Sequence, residues 1–377
     1  MTQAVSKSEG RPRQHGGAAY DVAIVGAGPA GATLARLIGD RYRVLLVDRR
    51  PLDLPSVLGE AGKCCGGLLA PDAQQVMGQM GLGLPQSVLV SPQLFVVRAM
   101  DLPSGLERYY QRFYLNMDRE KFDRWLVSLV PRCVDSRYRT QILEYRRADG
   151  DSGFELTMRT GRVTYTERAR VLVGADGAHS GVRRWAFGRH ATKTYVALQE
   201  WFRVEQSLPH YTAIFDPAIT DFYVWTIPKE DYLLVGAAVP RQGARERFGL
   251  LKARLMASGL ALGQPTRREG CLLLRPGRPG QLALGQDGVA LVGEAAGWIS
   301  PSSAEGISYA MRSALALADA MGPGLEGCVA RYRSATRGLA ANLLGKRLKS
   351  VVMYSGPLRR MVMRSGVMSA GPITLSG

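Results

Sequence analysis

The stretch YDVAIVGAGPAGATLARLIGDRYRVLLVD, residues 20–48, constrains the chain more than any other. A short β-branched apolar run, YDVAIV, leads directly into GAGPAG and then into ATLARLIGD, whose apolar residues recur at helical spacing. The order reads as strand, tight glycine turn and helix. Gly26 makes the turn, Gly28 lets a pyrophosphate approach the backbone, and Gly31 allows close helix–strand packing. Pro29 and Ala30 open the helix, whose first N–H groups face the phosphates. YRVLLVD is a second strand that ends at Asp48, about 20 residues on, where an acid can hold a ribose 2′-OH, and Arg49 follows it. A lone GxGxxG is a weak signal. With two strands, a helix and a terminal acid in agreement, it specifies a dinucleotide-binding βαβ unit, and the retained acid favours FAD or NAD over NADP.

Two later motifs are also strand-to-loop junctions, where a doubly wound sheet presents its ligand-binding groups. RVLVGADGAHSGVRR, residues 170–184, runs from an apolar strand into a turn at Asp176 and Gly177. GVALVGEAAGWISPSSAEGISYAMRSALALADAM, residues 288–321, joins a strand, an acidic glycine turn, a proline-containing loop and a long helix opening at Gly306 and Ile307.

The order GAGPAG, GADGxxSxVR, GEAAGxxxPxxxEGI resembles the para-hydroxybenzoate-hydroxylase-type flavoproteins, in which all three segments bind FAD. The resemblance implies an α/β fold: a Rossmann-like FAD-binding domain (three-layer ββα) with an inserted antiparallel-sheet substrate domain and a helical C-terminus. It places Asp176 and Gly177 near the pyrophosphate and the route to a nicotinamide donor. Glu294, within Gly293, Ala296 and Gly297, would hold the ribityl chain, although most relatives carry Asp there. Pro301 and the helix start at Gly306 and Ile307 would sit by the isoalloxazine, the helix N-terminus stabilising negative charge on reduced flavin. Arg119, in NMDREKFDRWL, matches an arginine on the flavin side of the cofactor. No second GxGxxG is present, so NAD(P)H or a small electron carrier would act as a transient reductant.

Residues 194–285 alternate polar and apolar positions in segments such as YLLVGAAVP, which suggests antiparallel strands. Within them FYVWTIPK carries Tyr223, Trp225, Pro228 and Lys229. Strand alternation puts Tyr223 and Trp225 on one face, either lining a pocket or forming an ordinary core pair. This pattern, with the segment KCCGGLLAPDA at 63–73, resembles the geranylgeranyl reductase branch, which saturates isoprenoid double bonds. Closer still, the chain from Tyr20 onward resembles the CbrA-type subgroup, to which the glutamate at 294 also belongs.

That likeness implies reduction of carbon–carbon double bonds in a polyprenyl or other apolar small molecule, by hydride transfer from flavin N5. Cys65 and Tyr223 are the candidates for supplying the proton; Trp225, Pro228 and Lys229 would line the substrate. Cys65 and Gly66 match the flavin-side segment, leaving Cys64 as a bystander. Three alternatives stay open. One is a flavin-dependent monooxygenase of secondary metabolism. Another is a halogenase, since YVWTIP is one residue from WxWxIP and Lys63 is the only lysine by location. The third is a non-catalytic, FAD-containing lipid-binding or resistance protein.

Composition narrows the rest. Five cysteines form no CxxC pair and only four histidines are present, so no metal site is expected and the thiols are expected to be reduced. No apolar run is long enough to span a bilayer. The net charge of +17 rests on 41 arginines and eight lysines, a skew that weakens it as a sign of nucleic-acid binding, and no nucleic acid is expected as a partner. Residues 327–377 hold nine basic residues and no acid, and interleave them with Leu, Val and Met. Such a segment can lie on an anionic membrane or pack as a solvated basic helix. The expected layout is a disordered tail at 1–19; an FAD-binding domain at 20–75, 100–190 and 285–335; a substrate domain at 76–99 and 191–284; and a basic helical segment at 336–377. The expected location is the cytoplasm, with peripheral contact at the inner face of the membrane.

Overall fold

A computed structural model of the chain describes residues 20–54, 63–148, 153–188 and 192–370, and the expected tail at 1–19 lies outside them. The chain begins with β1 (Tyr20–Val25), α1 (Pro29–Ile38) and β2 (Val44–Val47), then passes through β3 (Leu68–Leu69) and α2 (Pro71–Gln79). A hairpin of β4 (Leu94–Asp101) and β5 (Leu106–Asn116) leads to α3 (Arg119–Ser128). There follow β6 (Asp135–Arg137), β7 (Thr140–Arg147), β8 (Phe154–Thr160), β9 (Val163–Gly174) and α4 (Gly181–Phe187). The next run is β10 (Lys193–Arg203), β11 (Tyr211–Phe215), β12 (Val224–Lys229), β13 (Tyr232–Pro240), α5 (Ala244–Ala257) and β14 (Pro265–Arg275). The chain closes with β15 (Gly285–Gln286), β16 (Val289–Leu291), α6 (Ile307–Ala320), α7 (Cys328–Ala335), α8 (Arg337–Tyr354) and α9 (Gly356–Ser365).

The first sheet has the order β15-β16-β9-β1-β2-β6, with β8 on β9 and β7 on β8. Its centre is parallel: β1 lies between β2 and β9, and β16 pairs with β9. Alternate residues of β1 serve opposite faces. Val22 and Ile24 join Leu34 of α1 and Leu317 of α6 on one side; Ala23 and Val25 join Leu156 of β8, Leu172 and Trp298 on the other. Burial on both faces is why YDVAIV reads as a nearly continuous apolar run.

The second sheet has the order β14-β10-β13-β12-β11-β4-β5-β3, antiparallel except for the parallel pair β11 and β4. Alternation again divides its faces. Leu233, Val235 and Val239 pack under α5 against Phe248 and Leu251, while Leu234 and Ala238 face the other way with Trp225 and Tyr211. One expected boundary is wrong. The chain does not return to the first domain at residue 100, because β5 pairs with β4 along Leu94–Tyr114 to Asp101–Leu106 and stays in the second sheet. The return comes at α3, whose N-cap Asp118 accepts from the N–H groups of Glu120 and Lys121. β3 also pairs with β5, so the segment before α2 edges the second sheet.

The C-terminal helices lie against both sheets. Lys346 of α8 pairs with Asp72 of α2, and buried Arg359 of α9 donates to Asp101 Oδ2 through Nε at 2.9 Å and Nη2 at 2.6 Å. Among the described residues no helix is long and apolar enough to cross a membrane, and no group of His, Cys, Asp and Glu could hold a metal ion.

Candidate active site

The glycine turn is built as its residue types require. Gly26 has φ +103°, and a Cβ there would lie 2.5 Å from Ala175 O; a Cβ on Gly31 would lie 1.8 Å from Gly26 O. At Gly28 the space is open, with Arg50 Nη2 the nearest atom at 3.9 Å. Two glycines are therefore filled by the protein itself, and the third leaves its backbone approachable at the N-terminus of α1.

Asp48 Oδ2 accepts from Ala27 N at 2.7 Å, tying β2 to the turn. Arg50 closes on Asp48 through Nη2 at 3.0 Å and on Asp123 through Nη1 at 2.7 Å, and Arg119 Nε donates to the other Asp123 oxygen at 2.8 Å. Burial alone would raise the Asp123 carboxyl, but Arg119 and Arg50 together hold it below the usual carboxylate range. Arg49, expected at the cofactor, is exposed; the next residue is the one that turns inward.

Residues 63–67 form a strip between the two sheets. Lys63 Nζ lies 3.3 Å from Glu294 Oε2, while Glu294 Oε1 accepts from Leu274 N at 3.1 Å. Burial would lower Lys63, but Glu294 outweighs it and holds the ammonium charged. The Cys65 sulfur accepts from Gly67 N at 3.5 Å and is also reached by the Arg119 guanidinium. A Cβ on Gly66 would meet Ile227 Cδ1 at 2.5 Å, so only glycine lets β12 approach the strip this closely. Lys229 donates to Gly67 O at 3.0 Å and to Met117 O at 2.8 Å, and burial pushes its amine down to about 7.

Cys64 is not the bystander the sequence suggested. Its Sγ lies 3.7 Å from Ala197 O on β10, the register partner of Cys271, and Cys271 Sγ lies 3.4 Å from Cys64 O. Each thiol also acts on the other, which raises Cys64 and lowers Cys271. Both are free, as are Cys65, Cys133 and Cys328.

Across the first sheet, Asp176 Oδ2 accepts from Gly181 N at 2.7 Å, and its buried Oδ1 has no hydrogen-bond partner. Burial raises this carboxyl against the bonds from α4. Gly177 and Gly293 have φ +75° and +58°, and Gly297 has +93°, so both later motifs need glycine where they turn. Gly293 N donates to Ser313 Oγ of α6 at 2.9 Å, and Ala296 is buried beside it.

The loop before α6 is fixed through three successive carbonyls. Pro301 O accepts from Arg275 Nε at 3.2 Å, Ser302 O from Tyr354 Oη at 2.6 Å, and Ser303 O from Tyr223 Oη at 2.6 Å. Gly306 caps α6 without a side chain of its own, while Glu305 reaches forward to Ser308 N at 2.7 Å.

The Tyr223 and Trp225 rings share a face, as alternation predicted, with centroids 5.5 Å apart. They join Tyr114, Tyr211, Cys64 and Ala304 in one apolar cluster, so the second sheet meets the strip and the loop through an aromatic wall. Trp225 is buried with its indole Nε1 unpartnered, and Gly236 across the ladder makes room for it. Pro228 offers its carbonyl to Asn116 Nδ2 at 2.8 Å. The structure thus brings Cys65, Gly66, Arg119, Glu294 and the Lys229 amine to one strip, whereas Pro228 and Lys229 bind backbone within the fold. The sequence reading missed Arg50, Asp123, Arg275, Cys271 and Tyr354. None of these carried a local signal that sets it apart from its neighbours in the sequence.

FAD fits these residues. Gly28 leaves an open cradle at a helix N-terminus, Asp176 keeps a free buried carboxylate oxygen, and Asp48 stands at the end of β2. Those groups would take the pyrophosphate and ribose side. Glu294, Arg119, Pro301 and the start of α6 at Ile307 would lie along the ribityl and ring.

Comparisons agree with this architecture. Residues 19–254 match the family described as FAD binding domain. Protein CbrA of Escherichia coli O6:H1 is 41% identical over 350 residues, 92% of this chain and 94% of that protein. A crystal structure of a geranylgeranyl bacteriochlorophyll reductase-like protein from Thermoplasma acidophilum superposes with TM-score 0.79 at 20% identity, covering 95% of this chain and 94% of that one. The fold is shared as well with PqsL, a probable FAD-dependent monooxygenase of Pseudomonas aeruginosa, at TM-score 0.66 and 22% identity, covering 92% and 99% of the two chains.

Proposed function

We propose a function from one premise: the chain belongs to the FAD binding domain family, in the group of the CbrA proteins, and so to the FAD-dependent oxidoreductases. Within that class we assign it the reduction of a carbon–carbon double bond in an apolar, polyprenyl-class substrate. The observation that carries this reading is the aromatic wall of Tyr114, Tyr211, Tyr223 and Trp225, set against the strip at Cys64 and the loop at Ala304. Such a wall suits an apolar chain and excludes water.

When bound and reduced by NAD(P)H or a small electron carrier, FAD supplies the hydride for one alkene carbon. The chain's own residues must then supply a proton to the other, because an unactivated alkene resists hydride addition alone. We assign that role to Tyr223, whose phenol is kept protonated by burial; its hydroxyl donates to Ser303 O and must exchange that bond for the substrate before it can deliver the proton. The Cys65 sulfur receives donors from Gly67 N and Arg119, an arrangement suited to positioning the strip. The ion pair of Lys63 with Glu294 argues against a halogenase lysine at that place.

The deciding experiment is anaerobic turnover of purified holo-protein with a polyprenyl substrate. Reoxidation of the reduced protein by the alkene without oxygen supports the assignment. Strict oxygen dependence with oxygen incorporated into product would instead establish a monooxygenase. Tyr223→Phe should slow the reductive reaction by about 100-fold with FAD retained, whereas Cys65→Ala should mainly weaken cofactor retention. Full biological effect in both variants would point to the non-catalytic alternative.

A further inference from the structure

An amphipathic helix ordinarily buries its apolar stripe. Helix α9 does the reverse: its inward face carries Arg359 and Met363, while Leu358, Met361 and Val362 point out, Met361 at 62% exposure. On α8 the residues Leu344, Leu348, Val351 and Val352 fall within one arc at 3.6 residues per turn, and Leu348 is 67% exposed. Among the described residues, nine of the 18 exposed large hydrophobic side chains lie between residues 344 and 368. An apolar surface so concentrated marks an interaction face.

Charge identifies the occupant. Lys349, Arg360 and Arg364 flank the stripes, and no acid occurs from residue 327 to the end of the chain. A second copy packed through a two-fold axis would set these cations against themselves. An anionic bilayer complements them, and interfacial helices with apolar and basic faces bind such surfaces.

Helix α8 forms one wall of an open cavity of about 720 Å³. Arg347, Ser350 and Tyr354 line it from the arc next to the apolar stripe, and Val351 belongs to both. Lys193, Arg275, Asp221, Thr192 and Gln281 line the rest of the polar wall, so with Arg347 three cations face one acid. Lys193 pairs with Asp221, and Arg275 is held by Tyr195 Oη at 3.1 Å and Pro301 O. Arg347 has no acidic partner among the described residues.

We propose that α8 and α9 dock on an anionic lipid bilayer through their outward stripes, and that the cavity beside α8 takes a phosphate-class head group presented there. The docking stands independently of the proposed chemistry; the head-group clause rests on it, since it describes the polar end of the apolar substrate.

Flotation of the full-length holo-protein with vesicles tests the docking. Vesicles of phosphatidylcholine with phosphatidylglycerol should carry the protein, and pure phosphatidylcholine vesicles should carry about tenfold less. Leu348→Ser with Met361→Ser should lose about tenfold of that binding while keeping FAD content and melting temperature. No preference for anionic vesicles overturns the docking, as does a dimer in light scattering that the same double variant converts to monomer. Calorimetry with dodecyl phosphate, without vesicles, tests the cavity: Arg347→Ala should weaken binding about tenfold yet float normally. Unchanged affinity in that variant overturns the head-group site. Equal affinity for inorganic phosphate would instead make it a site for free phosphate and overturn the lipid source. Normal flotation with failed anaerobic alkene reduction would leave the docking intact and reject the proposed reaction together with the head-group assignment that rests on it.

Discussion

At Lys229 the fold works against the charge a lysine normally carries. Its amine sits between two carbonyls, Gly67 O and Met117 O, with no carboxylate bonded to it, and two N–H donors satisfy both. The neutral amine is therefore adequate, and burial brings the group down to about 7 from an ordinary 10.5. The unfolded chain keeps the proton up to the ordinary value while the folded chain releases it near neutrality, so between these limits the unfolded state binds more protons and stability rises with pH. Urea-derived stability of the holo-protein should climb from pH 7 to about pH 10 by at most about 1.4 kcal/mol per pH unit. Lys229→Met should flatten that rise, and an equal slope in both proteins would refute the assignment. The sequence placed this lysine beside the substrate; only the register of β12 on β13, with Lys229 opposite Tyr232, turns it toward the strip. Arg49 and Arg50 make the same point, since adjacent identical residues carry no mark of which one turns inward.

Among the elements, the turn between β1 and α1 was legible because its glycines answer to local sterics. Gly26 and Gly31 are required by backbone atoms a few residues away or just across the sheet, and Gly28 is left open for a ligand. This separates two substitutions that look alike in sequence. Gly31→Ala should lower stability by about 2–3 kcal/mol in thermal unfolding, because the new methyl overlaps Gly26 O. Gly28→Ala should leave stability within about 0.5 kcal/mol yet release FAD on desalting, read from flavin absorbance. A Gly28 variant that unfolds, or one that keeps its flavin, contradicts the open cradle. The loop before α6 was legible only as a motif. Its shape depends on Arg275, Tyr354 and Tyr223, which come from three distant parts of the chain.

For the molecule as a whole, the C-terminal segment is both surface and strut. Asp101 of β4 accepts twice from Arg359 and twice from Ser104. Burial would raise its carboxyl, but Ser104 and Arg359 overcome that and hold it below the usual range. Its contribution is therefore present above the unfolded-state value near 4 and lost as pH falls through the lower folded value. Arg359→Met leaves a buried carboxylate without its partner and should cost about 3 kcal/mol or more. The sign of that loss is faster hydrogen exchange throughout α9, with Arg359→Lys intermediate. Unchanged exchange in the methionine variant would show that α9 is held by its apolar contacts instead.

The sequence by itself determined the dinucleotide unit, the three flavin-side motifs, the flavoprotein family and the shared face of Tyr223 and Trp225. The dinucleotide unit and the shared face follow from short-range geometry: a glycine where a turn needs positive φ, an acid at a strand end, alternation along one strand. The family and the flavin-side motifs rest on resemblance. The tertiary structure alone decided that β5 belongs to the second sheet and that Cys64 meets Cys271. It also decided that Arg50 links Asp48 to Asp123 and that α9 faces its apolar stripe outward. Those outcomes depend on which segments pack together across long chain separations, and a pairing of that kind leaves no period or spacing in the sequence.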